Sequence, residues 1–204
     1  MITIIKLQEL FGQLASKGME QVLSDWEMLI GFEAKAAPKR TKIAGSAGEL
    51  VALVGPKHLI VETQVENDVG RMGSIYFAFP NTLVVEVIAD LLMIPESARA
   101  TKAEEGLSDN DIEAFREMAN LLCGAWNRVF RDLERDLRIS QSVDDLKVWT
   151  ESESGTPMTT NVGTGRVAYI SVSIDCAGAV FPAMILIPFD VTIALAEQLE
   201  GDAA

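Results

Sequence analysis

The chain has 204 residues, 49% of them hydrophobic, and a formal net charge of −13. That length suits one large domain or two small ones with a sizeable core. The charge argues against nucleic acid, whose phosphates are bound by Lys and Arg, and against an anionic membrane surface; no apolar run reaches the ~18 residues needed to span a bilayer.

The opening stretch MITIIKLQELFGQ has neither a positive n-region nor a long apolar h-region, so the expectation is a cytoplasmic protein without membrane insertion. From about residue 3 to 30 a helix is predicted, with Leu7, Leu10, Phe11, Leu14, Val22, Trp26 and Leu29 recurring at spacings of three and four. FEAKAAPKRTKIAGSAGEL then reads as turn-rich. Three strand-like runs follow, ELVALVG, HLIVETQVE and GSIYFAFP. PNTLVVEVIADLLMI reads as a short helix with Asn81 or Thr82 as N-cap. PESARATKAEEG is a charged linker, and solvated surface is the expectation for it and for His58.

Ser108 and Asp111 have the spacing of a capping box, and acids crowd the turn they open. A long helix is predicted from there to about residue 138. DDLKVWTES is strand-like, and ESGTPMTTNVGTG is a loop or hairpin without the GKS/T of a P-loop. RVAYISVSID and AVFPAMILIP alternate as antiparallel strands, and FDVTIALAEQL closes as a short helix. Cys123 and Cys176 sit in apolar surroundings without CxxC spacing and read as small buried hydrophobes. With one histidine, the chain lacks what a His-based triad or a multi-His metal site needs, and no metal site is assigned.

The two halves share one order: long helix, strands, short helix. An ungapped offset of 108 residues brings Pro80 onto Pro188, Leu91 onto Leu199, Leu14 onto Leu122, Leu10 onto Met118 and Leu7 onto Phe115. The expectation is a single α+β domain over 1–204, built from duplicated helix–strands–helix units at about 1–94 and 108–200, joined by a linker at 95–107. The units would form an antiparallel sheet packed by long and short helices. At the same offset Glu9 meets Glu117, and Gly12 meets Asn120.

On the second long helix Ile112, Phe115, Ala119, Leu122, Trp126, Phe130 and Leu133 form the core stripe. Glu113, Glu117, Asn120, Gly124 and Asn127 form another, turned aside from it. Glu117 and Asn120, at i and i+3, are surface neighbours. Asn and Gly are both weak helix formers, so their presence mid-helix points to a face used for something other than packing, with Gly124 leaving the backbone bare for a partner. A solvated face carrying Glu and Asn by chance fits the same periodicity.

The stretch EMANLLCGAWN resembles the ExxN motif, followed by a small or glycine residue, of the CheC, CheX and FliY phosphatases of bacterial chemotaxis. The resemblance extends to the duplicated layout, with SIYFAFPNTLVVEVIADLL and AMILIPFDVTIALAEQL matching the family's strand–proline–helix step in both halves. It implies a CheC-like fold and an activity: hydrolysis of the aspartyl phosphate of a CheY-like response regulator. Asn120 would orient the attacking water, and Glu117 would dock a lysine of the partner. Glu113 and Gly124 would support them, and the first-unit counterparts Glu9 and Gly12 would be inactive, leaving one site as in CheX-like members. The enzyme would need no cofactor of its own, since the receiver domain supplies Mg²⁺. A homodimer is expected, because sheet edges can pair across chains and CheX-like relatives are dimers. The sequence departs from the family at Glu113, where Asp or Ser is usual, and near Val143, where a proline is usual. Relatives such as flagellar switch proteins bind partners without the motif, so a non-catalytic module is the alternative.

Overall fold

A computed structural model describes residues 3–31, 33–44, 54, 57–150 and 166–200, with 38–40, 43–44 and 142–150 described by backbone alone. Helix α1 (Ile4–Ile30) starts on Thr3, whose hydroxyl accepts from the Lys6 amide, and stops at Gly31, which takes φ +75°. Strand β1 (Ala34–Ala44) follows, then the hairpin of β2 (Lys57–Asn67) and β3 (Arg71–Pro80). Helix α2 (Asn81–Ile88) runs directly out of β3, and α3 (Glu96–Glu105) leads to the second long helix, α4 (Asp109–Asp132). The chain closes with β4 (Leu137–Thr150), the hairpin of β5 (Val167–Cys176) and β6 (Ala179–Pro188), and α5 (Phe189–Glu200).

The architecture is α+β, as expected. The six strands form one sheet in the order β1-β5-β6-β3-β2-β4, with every neighbouring pair antiparallel. Exchanging β1, β2 and β3 for β4, β5 and β6 reverses this order onto itself. The outer strands cross over: β1 pairs with β5 and β4 with β2.

Alternation along the strands sorts side chains to two faces. Leu59, Val61, Ile75, Phe77, Phe79, Ile170 and Ile185 join the helices in the main core, while Ile60, Tyr76, Ala78, Tyr169, Met184 and Leu186 form a second buried cluster. In the main core two aromatic nests flank the meeting of α1 and α4. Trp26, Phe79 and Phe115 lie 5.7–5.8 Å apart by ring centroids. Trp126 packs edge-on to Phe77 at 5.4 Å and to Phe130 at 6.0 Å. Such pairs each contribute about 0.5–1.5 kcal/mol beyond the area they bury. The Trp26 indole N–H donates to the Met118 carbonyl across the helix pair at 3.0 Å. Trp126 packs against Gly18, where a Cβ would fall 2.6 Å from its ring.

Several expectations change. The turn-rich reading of 32–50 gives way to β1 within it, because small and β-tolerant side chains suit an outer strand; Pro38 sits where the β1–β5 register shifts. ELVALVG and the loop at 153–165 lie outside the described residues, apart from buried Val54. Pro80, not Asn81 or Thr82, is the N-cap of α2; Asn81 is its first residue and is buried. His58 is not solvated: it is 2% exposed, in β2 opposite Pro80 and Trp149. Leu29 is exposed, and Ile30 takes its place in the core. The long helix ends at Asp132, short of residue 138. Glu134 turns to φ +55°, its N–H bonds Arg131 O and the Arg135 N–H bonds Phe130 O, a helix-ending motif that frees Leu137 and Ile139 to enter the sheet.

The linker is the largest correction. Residues 96–105 are the helix α3, fastened at both ends. Arg99 bridges Glu86 of α2 at 2.6 Å. Lys102 bridges Asp111 at 2.8 Å, and Asp111, only 1% exposed, also closes the capping box with Ser108. Burial pushes the Asp111 pKa up, but hydrogen bonds from Lys102 and Ser108 outweigh it and hold the carboxyl below its ordinary 3.8.

Two outcomes follow from this packing. Gly18→Ala forces a methyl into the Trp126 ring and is expected to lower stability by about 1–3 kcal/mol in urea unfolding. Asp111→Ala is expected to cost about 1–2 kcal/mol at neutral pH. Because the folded pKa is depressed, this contribution is full above the ordinary carboxylate value and is lost as pH falls through the lowered one. The gap between wild type and variant therefore closes in acid, and a gap that persists unchanged there contradicts the ionised clasp.

Candidate functional site

Helix α4 carries its core on one side and the candidate stripe on the other. Phe115, Met118, Ala119, Leu122, Ala125, Trp126, Val129 and Phe130 are buried, whereas Glu113, Glu117 and Asn120 are exposed. Ile112 and Leu133, read as core, are only partly buried at the helix ends. The helix is held from below by β4, since Gln141 donates to the Arg116 carbonyl at 3.1 Å. Asn127 donates to the Ile139 carbonyl at 2.9 Å and accepts from the Ile139 amide at 2.7 Å. Asn127 thus leaves the open stripe on which its spacing placed it: its amide clamps the start of β4. The sequence signal for that role is the chain reversal after the helix, which brings an edge strand back beneath it.

What remains open is a short run. Glu113 accepts from Arg116 at 3.0 Å, so that part of the face is electrically paired. Glu117 has no ion pair or hydrogen bond among the described residues, and neither has the amide of Asn120. One carboxylate and one amide are therefore presented side by side, at about 5–6 Å between Cβ atoms for this spacing. The carboxylate can meet a cation. The amide can accept a hydrogen bond from water and donate another to an anionic oxygen. Among the described residues no group of three or more His, Cys, Asp or Glu side chains could hold a metal ion. Cys123 and Cys176 are both buried, and burial above all pushes the Cys176 thiol up to about 12, so neither is placed for chemistry.

Mid-helix glycines divide by cause. Gly18 is required by Trp126. A Cβ on Gly12 would come within 3.3 Å of the Thr41 hydroxyl of β1. Gly124 is different: a Cβ there would meet only the end of the Arg128 side chain, at 3.7 Å. Glycine costs about 1 kcal/mol relative to alanine inside a helix, and at Gly124 no internal contact accounts for it. The first-unit counterparts differ from the pair on α4. Glu9 is exposed, but Gly12, the counterpart of Asn120, carries no amide, and there the helix backs closely onto β1.

No protein-family model matches the sequence, and no curated protein matches it. Solved structures do. The chain is similar to FliY from Thermotoga maritima, with a TM-score of 0.72 at 14% identity over 98% of each chain. It is similar to the FliM middle domain from H. pylori, with a TM-score of 0.71 at 10% identity over 97% of this chain and 98% of that one. FliM in a FliG–FliM complex from H. pylori matches at 0.63 and 11% identity, over 90% of this chain and 95% of that one. The chain thus has the fold that FliY shares with the FliM middle domain, as the motif resemblance implied. Among the described residues no helix is long and apolar enough to cross a membrane.

The two asparagines of α4 should separate cleanly by stability. Asn127→Ala strands the Ile139 backbone groups and is expected to cost about 1–3 kcal/mol. Asn120→Ala removes no contact and exchanges a weak helix former for a strong one, so its urea midpoint should equal or exceed that of the wild type. A large loss in Asn120→Ala would mean that its amide serves the fold.

Proposed function

We propose that the chain is a phosphatase for the aspartyl phosphate of a CheY-like receiver domain, acting in chemotaxis or a related two-component pathway in the cytoplasm. The observation that carries the reading is the unpartnered Glu117–Asn120 pair on an exposed helix face of this fold. An acyl phosphate is already an activated mixed anhydride, and the receiver brings its own Mg²⁺ and cationic groups. The missing component is a water held in line with the leaving group. Asn120 supplies it: the amide oxygen accepts from the water while the amide N–H can donate to a phosphoryl oxygen. A carboxylate in its place would repel the phosphoryl group. Glu117 pairs with a lysine of the receiver and brings the phosphate over Asn120. No group of shifted pKa is needed, which suits a chain whose one histidine is buried away from this face.

The same reading takes the protein as a duplicated unit with one working site. The strand order that reverses onto itself supports duplication, and the close backing of Gly12 on Thr41 supports a single site. β1 and β4 are the outer strands on which a homodimer would pair.

A second reading has its own observation. The FliM middle domain matches as well as FliY does, and FliM is seen in complex with FliG and with SpeE. A non-catalytic module of a flagellar switch would bind its partner and leave the phosphate untouched.

Phosphate release from a CheY-type receiver phosphorylated with acetyl phosphate distinguishes the two. The wild type is expected to speed release, and Asn120→Ala to lower the maximal rate by about 100-fold. Glu117→Ala is expected to raise KM by roughly tenfold with a smaller effect on kcat. Binding without acceleration by the wild type selects the switch module. Equal rates for wild type and Asn120→Ala remove the proposed role of the amide.

A further inference from the structure

We infer that the groove between α1 and the last turn of α4 is a binding site for a small zwitterion, an α-amino acid with an apolar side chain. The groove has a volume of about 380 Å³ and is lined by Lys17, Glu20 and Ser24 of α1 and by Val129, Asp132 and Leu133 of α4. That is the small end of the roughly 300–1,000 Å³ of ligand pockets. It lies about 18 Å along the α4 axis from Asn120, so it is separate from the Glu117–Asn120 pair and does not rest on the phosphatase reading. Part of its lining is apolar: Val129 is 6% exposed, and Leu133 packs against the main core. The rest carries both signs of charge. Lys17 and Glu20 have the i, i+3 spacing of a helical ion pair, and Asp132 stands on the opposite wall, yet among the described residues Lys17 pairs with neither. Glu20 accepts from the Ser16 hydroxyl at 3.0 Å. Asp132 makes no ion pair among the described residues, and it belongs to the last turn of α4, where the helix dipole disfavours a carboxylate. A ligand with one group of each sign answers all three. Its carboxylate meets Lys17 and can accept from the Ser24 hydroxyl, and its ammonium lies with Glu20 and Asp132 at the negative end of α4. Its side chain covers Val129 and Leu133. A simple cation would leave Lys17 unanswered beside it, and a simple anion would meet two carboxylates.

The test uses the full chain with L-leucine as the probe, beside isopentylamine and 4-methylpentanoate, which keep its carbon skeleton with one charged group removed. Titration calorimetry is expected to show leucine binding with a Kd of about 1 mM or below, and each analogue at least about tenfold weaker. Because the ligand touches both long helices of the folded chain, about 10 mM leucine should also raise the unfolding midpoint. Lys17→Gln should weaken leucine by about tenfold or more and leave isopentylamine no weaker, so the preference for the zwitterion disappears. Asp132→Asn should weaken leucine and isopentylamine and leave 4-methylpentanoate no weaker. Both residues are exposed, so each variant is expected to keep the wild-type urea midpoint, and the analogue series on the wild type stands whatever the variants' folding. No binding of leucine at about 10 mM, an amine that binds as tightly as leucine, or leucine binding that neither substitution changes would each overturn the site.

Discussion

The approach of α1 to α4 at Gly18 governs the helical side of this molecule. The Trp126 indole occupies the space that any side chain at position 18 would take, and the Trp26 N–H reaches back to the Met118 carbonyl. These two contacts fix the separation and the rotation of the two helices together. Rotation is what matters for the face beyond. With Met118, Leu122 and Trp126 turned inward, helical geometry leaves Glu117 and Asn120 turned outward. The outer face is thus a consequence of how the inner one is filled. The clamp from Asn127 to Ile139 adds a second constraint from below, so the helix presents its polar pair on a backbone held from two sides.

The proposed function places hydrolytic chemistry on a helix surface, which offers no cleft and excludes no water. It is adequate when the partner carries the activated bond, the metal ion and the enclosing walls. On that reading the helix would supply only one short amide and one charge for alignment, projecting from a rigid element. Two nearby acids have been taken out of play, Glu113 by Arg116 and Asp25 by Arg128. On the same reading an acidic protein of net charge −13 would otherwise repel phosphate, so local neutralisation around Asn120 would matter more than on a basic chain.

Where periodicity was long and uninterrupted, the sequence was a reliable guide: both long helices, the β2–β3 and β5–β6 hairpins and the short helices after Pro80 and Pro188 stand where apolar spacing put them. It misled where a tertiary contact overrode local composition. Arg99 and Lys102 look like solvated linker charges until Glu86 and Asp111 are seen across from them. The helix end at Asp132 was hidden because Leu137 fits a helical stripe as well as a strand. β1 is rich in lysine and small residues, and only its pairing with β5 makes it a strand. At the site, spacing sufficed to set Glu117 beside Asn120. It could not separate Asn120 from Asn127, because one amide is free and the other is engaged by a strand met only after the chain reverses.

The exchange of outer strands also bears on how the molecule comes into being. Ala34 pairs with Cys176, so 142 residues (176 − 34) separate the two sides of that ladder. At about 5–20 residues per second, β1 emerges from a ribosome on the order of ten seconds before its partner. During that interval the first half carries a complete hairpin and an outer strand with nothing to pair against. The half-made chain has an unpaired edge of the kind that chaperones shield and that neighbouring nascent chains can capture. Pro38, together with Lys35, Arg40 and Lys42 along the same strand, gives β1 a protected edge for that wait, since proline and lysine are the residues that discourage edge-to-edge pairing.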